Sequence, residues 1–170
     1  SELTTRFKQP AFRATGSWFC FMANLKQYRF IIFDFNRTLY DPELSILLPG
    51  ARFVLNILRR RGLIMYLVSR ASPLRQDLIS GLGISRYFKK IIITKNKSLD
   101  NFVSIVGQGP TGSSYVIGDR VREEISFGNR LGFNTIWLCS GKFAVELPEK
   151  PEEKPDHVVK NLREILKIVR

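Results

Sequence analysis

Histidine and cysteine are nearly missing from this chain: among 170 residues there is one histidine, His157, and there are two cysteines, Cys20 and Cys139. Two thiols so far apart form no disulfide framework and read as isolated side chains of a reducing compartment. With a single histidine beside them, they also argue against a structural zinc site. Long apolar runs are absent too. No stretch approaches the roughly 20 residues that a membrane-spanning helix needs, so the expectation is a cytoplasmic protein with no membrane partner. Acid is scarce: 15 Asp and Glu stand against 27 Lys and Arg, a net charge of +12.

That excess of base favours anionic partners, whether nucleic acid, phosphorylated protein, anionic lipid or small phosphate esters. Plain solubility explains it equally well. The bases form no single block and no aromatic-interleaved stripe of the RNA-binding kind. Arg59-Arg60-Arg61 reads as the solvated end of a helix, where cations suit the dipole. A length of 170 residues with 44% hydrophobic and 25% charged content fits one domain with one sizeable core.

Residues 1–28 differ from the rest. Glu2 is their one acid, against Arg6, Lys8, Arg13 and Lys26, and no periodicity runs through them. An expression leader, a start assigned too far upstream of Met22, or a basic, acid-poor organelle-targeting segment would each account for this. The expectation is an extension outside the fold, with one domain over 29–170.

From Arg29 onward strand and helix signals alternate. Strands are predicted over 29–34, 63–68, 90–94, 115–117 and 135–138, with a further extended piece at His157-Val158-Val159. Helices are predicted over about 51–61, closed by Gly62, from Ser72-Pro73 to 79 or 80, over 99–106, near 122–131, and from about Leu162. Repeated βα units predict a three-layer α/β/α sandwich around a parallel, Rossmann-like sheet. Gly107-Gln108-Gly109-Pro110-Thr111-Gly112-Ser113-Ser114 lacks the lysine of a P-loop and follows a helix, so it reads as a turn. Ser85-Arg86-Tyr87-Phe88 reads as packing at a helix end, and His157 as strand edge.

Three strands end in polar residues, Asp34, Ser69 and Asp119. In a parallel sheet such ends meet along one edge, where open α/β folds place their ligands. Asp34 closes the apolar run Arg29-Phe30-Ile31-Ile32-Phe33, and a carboxylate there can attack phosphorus.

Four motifs in order carry a family resemblance. Asp34-Phe35-Asn36-Arg37-Thr38 resembles the Asp-x-Asp-x-Thr that opens the haloacid dehalogenase (HAD) superfamily. Leu67-Val68-Ser69-Arg70 resembles its second motif, a Ser or Thr at the end of strand two. For the motif lysine both Lys95 and Lys97 are placed, and Lys97-Ser98-Leu99-Asp100-Asn101-Phe102 is the closer match. Gly118-Asp119-Arg120-Val121-Arg122-Glu123-Glu124 resembles the acidic fourth motif.

The resemblance implies a phosphatase working through an aspartyl-phosphate. Asp34 would be the nucleophile, and Thr38, Ser69 and Lys97 would serve the phosphoryl oxygens. Arg37, Ser69, Arg70 and Lys95 would be substrate contacts. Asp34, Asp119, Glu124 and the backbone carbonyl of Asn36 would hold Mg²⁺. Asn36 replaces the family's acid–base aspartate, so proton transfer would be lost, and Glu123 is a conceivable substitute acid. Neither the interval after Thr38 nor that after Ser69 has room for a cap domain, which implies an open cleft or a lid lent by a neighbouring subunit of an oligomer. Beside the phosphatase, two other functions stand: a phosphate-binding protein without turnover, and a basic, nucleic-acid-associated protein on the same scaffold.

Overall fold

The computed structural model describes residues 29–106 and 113–170. The expectations for residues 1–28 and for most of the Gly107–Ser114 turn lie outside those residues.

Six parallel strands form one sheet: β1 (Phe30–Asp34), β4 (Ile64–Arg70), β5 (Phe88–Thr94), β6 (Tyr115–Gly118), β7 (Asn134–Leu138) and β8 (His157–Val159). Their order is β5-β4-β1-β6-β7-β8. The chain grows outward from β1 through β4 to β5, then returns to place β6 on the other side of β1. That return makes a topological switch point beside β1, where sheets of this kind open a crevice at their carboxyl edge. The two short strands β2 (Tyr40–Asp41) and β3 (Ile46–Leu47) form a separate antiparallel flap after β1.

β1 reads as an unbroken apolar run because both its faces are covered. Ile31 and Phe33 join a core with Val54, Leu55 and Leu58 of α1 (Ala51–Arg60), Ile79 of α2 (Arg75–Gly81) and Ile165 of α5 (Ile165–Ile168). Ile32, between them, joins Val116, Phe133 and Phe102 of α3 (Leu99–Val106) on the other face. Phe127 of α4 (Ser126–Arg130) packs on that second core, its ring centroid 5.4 Å from that of Phe102. The three layers are therefore helices, sheet, helices. Each fully buried side chain such as Phe33 contributes about 1.5–3 kcal/mol through removal from water.

Several element bounds differ from the sequence expectation for local reasons. The helix after β4 begins at Arg75 rather than Ser72, because Leu74 takes φ +56 and interrupts the turn after Pro73. The predicted helix near 122–131 opens as a π-helical turn, Val121–Ile125, before α4. The last helix is a 3₁₀ turn, Leu162–Glu164, running into α5. Arg61 does not stand free at the end of α1: its guanidinium donates to the carbonyls of Leu166 and Val169. The intervals Thr38–Ser69 and Ser69–Lys97 hold the flap, α1, α2, a 3₁₀ turn and strands of the sheet, with no cap domain in either. Among the described residues no helix is long and apolar enough to cross a membrane.

Candidate active site

At the carboxyl edge of the sheet lies a cleft of ≈ 210 Å³, and Asp34 is on its wall at the end of β1. The carboxylate is 3% exposed. Its Oδ2 accepts a hydrogen bond from Thr38 Oγ1 at 3.0 Å, and its Oδ1 pairs with the Lys97 ammonium. Lys97 reaches across to Glu124 Oε1 as well, at 2.6 Å. Burial works against the charge of Lys97, but Asp34 and Glu124 outweigh it and hold the ammonium well above the ordinary lysine pKa.

The loop after β1 turns tightly: the Phe35 carbonyl accepts from the amides of Leu39 and Tyr40, and the Arg37 amide donates to the Tyr40 carbonyl. This turn requires φ +59 at Arg37. A side chain in that left-handed region costs about 1 kcal/mol relative to glycine. Arg37 is retained there nonetheless, with one guanidinium nitrogen 2.9 Å from Glu43 of the flap.

Asn36 lines the cleft, and its orientation is fixed from behind. Arg75, 8% exposed at the start of α2, donates from Nη1 to Asn36 Oδ1 at 3.0 Å. The guanidinium lies over the Phe35 ring, 4.8 Å from its centroid. A guanidinium has no acceptor, so the carbonyl oxygen of the amide must face Arg75 and the amide nitrogen is turned away from it. Sequence reasoning missed Arg75. The pattern shows a basic residue at a helix start and carries no sign that it folds back onto position 36.

The acids of the fourth motif come from β6 and the π-helical turn. Gly118 lets Glu124 approach: a Cβ built on it would sit 2.5 Å from Glu124 Cβ. Trp137 Nε1 donates to the Asp119 carbonyl at 2.9 Å and anchors that loop to β7. This positioning role had no signal in the sequence. Burial first, then the neighbouring carboxylate charges, pushes Asp119 up to about 8 and Glu124 up to about 7. Asp119 Oδ2 and Glu124 Oε2 are buried with no hydrogen-bond partner.

Unpaired buried carboxylate oxygens are costly, and two of them beside Asp34 suit a hard divalent cation. Among the described residues, no three His, Cys, Asp or Glu side chains close around one point as ligands. Mg²⁺ does not need that, since it binds through one or two carboxylates and keeps waters or substrate oxygens for the rest. The donor set therefore fits the ion.

Other expected residues fall differently. Ser69 is fully buried at the end of β4, but its hydroxyl donates to the Arg70 carbonyl at 3.1 Å and does not line the cleft. Thr38 meets the site through Asp34 alone. Lys95 is exposed and lines no part of the cleft, whereas Lys97 does. Arg70 lines it and pairs with Glu123 at 2.6 Å, an oxygen that Arg120 also holds at 2.6 Å. Shared between two guanidiniums, Glu123 bridges the rim. His157 begins the exposed edge strand β8.

The chain resembles known proteins over this same region. A family described as HAD-hydrolase-like matches residues 97–165. A glyceraldehyde 3-phosphate phosphatase of Pyrococcus furiosus is 25% identical over 130 residues, covering 71% of this chain and 53% of that protein. A phosphoserine phosphatase of Thermus thermophilus is 26% identical over 128 residues, covering 70% and 49%. Among solved structures, a magnesium-bound HAD-hydrolase of Bacillus subtilis superposes with a TM-score of 0.71 at 15% identity, covering 85% of this chain and 100% of that one. A D,D-heptose 1,7-bisphosphate phosphatase of Burkholderia thailandensis gives 0.59 at 16% identity, over 83% and 98%. The chain spans about half the length of the phosphatase relatives it matches.

Proposed function

We propose that the chain is a HAD-like hydrolase, supported by the family match over residues 97–165 and by the shared fold, and that it is a Mg²⁺-dependent phosphatase forming an aspartyl-phosphate on Asp34. The observation that carries this is the buried Asp34 carboxylate, held by Thr38 and Lys97 at the carboxyl edge of the sheet and opening onto the cleft. The names of the relatives, all phosphatases, point the same way.

In this mechanism Asp34 attacks the phosphorus of a phosphoester, and the bond from phosphorus to the leaving oxygen breaks. Water then attacks the acyl phosphate, returns the carboxylate and releases inorganic phosphate. Mg²⁺ would be held by Asp34, Asp119 and the backbone carbonyl of Asn36, with Glu124 supporting the cluster through Lys97, and would supply positive charge against the phosphoryl oxygens. Lys97 holds Asp34 in place and offsets the negative charge that accumulates in the transition state. Thr38 fixes the orientation of Asp34.

Asn36 sets the rate. Its amide nitrogen can donate a hydrogen bond but cannot deliver or remove a proton, a loss worth roughly 10²–10⁴-fold. Leaving groups that depart as stable anions, acyl and aryl phosphates, suffer least. The test is phosphate release from p-nitrophenyl phosphate with Mg²⁺, for the natural chain beside Asp34→Asn and Asn36→Asp. Slow turnover abolished by Asp34→Asn and raised tens-fold by Asn36→Asp is the expected outcome. No turnover from either the natural chain or Asn36→Asp would sink the enzyme and leave a phosphate-binding protein, a second function favoured by the Arg75 clamp on Asn36.

A further inference from the structure

A second cleft, ≈ 440 Å³, adjoins the first between the flap and the loop after β7, and Arg37 is the residue common to both. Lys142 lines the second cleft, and Phe143 beside it lines the first. The two cations converge on one ring: Arg37 Cζ lies 5.3 Å and Lys142 Nζ 5.6 Å from the Phe143 centroid. The acids nearby do not cancel them equally. Asp41 is turned into the flap, its Oδ1 accepting from the amides of Glu43 and Leu44 at 2.9 and 3.0 Å. Glu43 alone pairs with Arg37, and its side chain is 60% exposed. Such a solvent-screened pair is weak and yields to a better-placed anion. Arg37 Nε is buried without a partner. Ser140 lines the same cleft as Lys142.

From this arrangement we infer that the outer cleft is an anion subsite. The substrate is a small phosphomonoester whose leaving group carries a second anionic group, a carboxylate or another phosphate, seated between Arg37 and Lys142 and displacing Glu43. The strained backbone at Arg37 holds its side chain at the boundary between the two anions. This deepens the phosphatase assignment and rests on it for the identity of the first anion.

Binding to the Asp34→Asn chain separates the subsite from catalysis, since nothing is turned over. Calorimetry with Mg²⁺ would compare 2-phosphoglycolate, ethane-1,2-diol bisphosphate and ethyl phosphate. Both two-anion ligands should bind about tenfold tighter than ethyl phosphate, or more. The stronger of the two identifies carboxylate or phosphate as the second group. Adding Lys142→Gln should shrink the preference several-fold and Arg37→Gln should remove it, while Lys89→Gln, a distant exposed lysine, should leave it intact. Equal affinity for all three ligands overturns the subsite, as does an equal effect of Lys142→Gln and Lys89→Gln. With Mg²⁺ binding to the Asp34→Asn chain first confirmed by its own titration, no binding of any ligand overturns the subsite and the phosphatase together. A preference that stands while the natural chain releases no phosphate keeps the subsite and removes the phosphatase. Turnover without preference does the reverse.

Discussion

An asparagine side chain offers one acceptor and two donors, and Arg75 decides which of them meets the cleft. The clamp predicts that Asn36 does not act alone. Arg75→Met leaves the amide oxygen without its donor and the amide free to rotate. The loss of one buried, charge-assisted hydrogen bond is worth about 1.5–3 kcal/mol of stability, read by urea denaturation. Turnover of p-nitrophenyl phosphate should fall about tenfold beyond what that destabilisation explains, and Arg75→Lys should recover part of it. An unchanged rate would make Arg75 a packing residue only. Gly118 makes a second residue-scale prediction. Gly118→Ala drives a methyl into Glu124 Cβ and Cγ, which are not the free end of a flexible chain. Overpacking of that kind costs about 1–3 kcal/mol, and displacing Glu124 loosens Lys97, so stability and activity should drop together. Asp34 and Asp119 were legible in the sequence because they close the apolar runs of β1 and β6, whereas Lys97 and Glu124, which lie in the loop after β5 and in the turn after Asp119, were legible only through the family resemblance. Arg75 and Trp137 were not, since both act through contacts that only the folded chain makes.

Elements carry the site by how they are tied at their far ends. β7 holds Asp119 through Trp137, and β7 is itself held by a partly buried polar knot: Asp156 Oδ2 accepts from the Thr135 amide at 2.7 Å, and the one proton of the Thr135 hydroxyl is shared between Asp156 Oδ2 at 3.0 Å and Asn129 Oδ1 at 2.9 Å. Asn129 Nδ2 in turn donates to the carbonyls of Glu152 and Lys154. Asp156→Ala leaves the buried Thr135 amide unpaired, at about 1–3 kcal/mol. Hydrogen exchange at Thr135 should speed up by one to two orders of magnitude, the rate equivalent of that loss. Trp137→Phe drops the bond to Asp119 and leaves a buried carbonyl unpaired, so it should cost about 1–3 kcal/mol and lower turnover beyond what that destabilisation explains. The alternation of strands and helices was readable from apolar runs and turn residues. The π-helical turn at 121–125 was not: its hydrogen bond from the Ile125 amide to the Arg120 carbonyl spans one residue more than an α-helix, and apolar spacing carries no sign of that. Leu74 misled the helix start for a similar reason, since no propensity rule puts a leucine at φ +56.

At the scale of the whole molecule, the crowded carboxylates tie stability to pH and to metal. Asp119 at about 8 and Glu124 at about 7 are raised above their ordinary values, so the folded chain holds protons that the unfolded chain has already released above about pH 4. The metal-free fold must therefore lose stability as pH rises from about 4 through about 8, by on the order of a few kcal/mol. Lys97 does not offset this: its pKa is raised, so its contribution is fully present below the ordinary lysine value and is lost only above that. A divalent cation beside Asp34 and Asp119 replaces those protons and should reverse the trend. Thermal melts with chelator should thus fall between about pH 5 and about pH 8, and saturating Mg²⁺ should raise the melting temperature far more at the higher pH. Asp119→Asn supplies the control, because it removes the titrating group and one metal-binding oxygen together. It should flatten the pH dependence of the metal-free melt and shrink the Mg²⁺ shift. A Mg²⁺ shift of full size in that variant would mean that the cation binds elsewhere, and that the orphaned oxygens of this cleft are not its ligands.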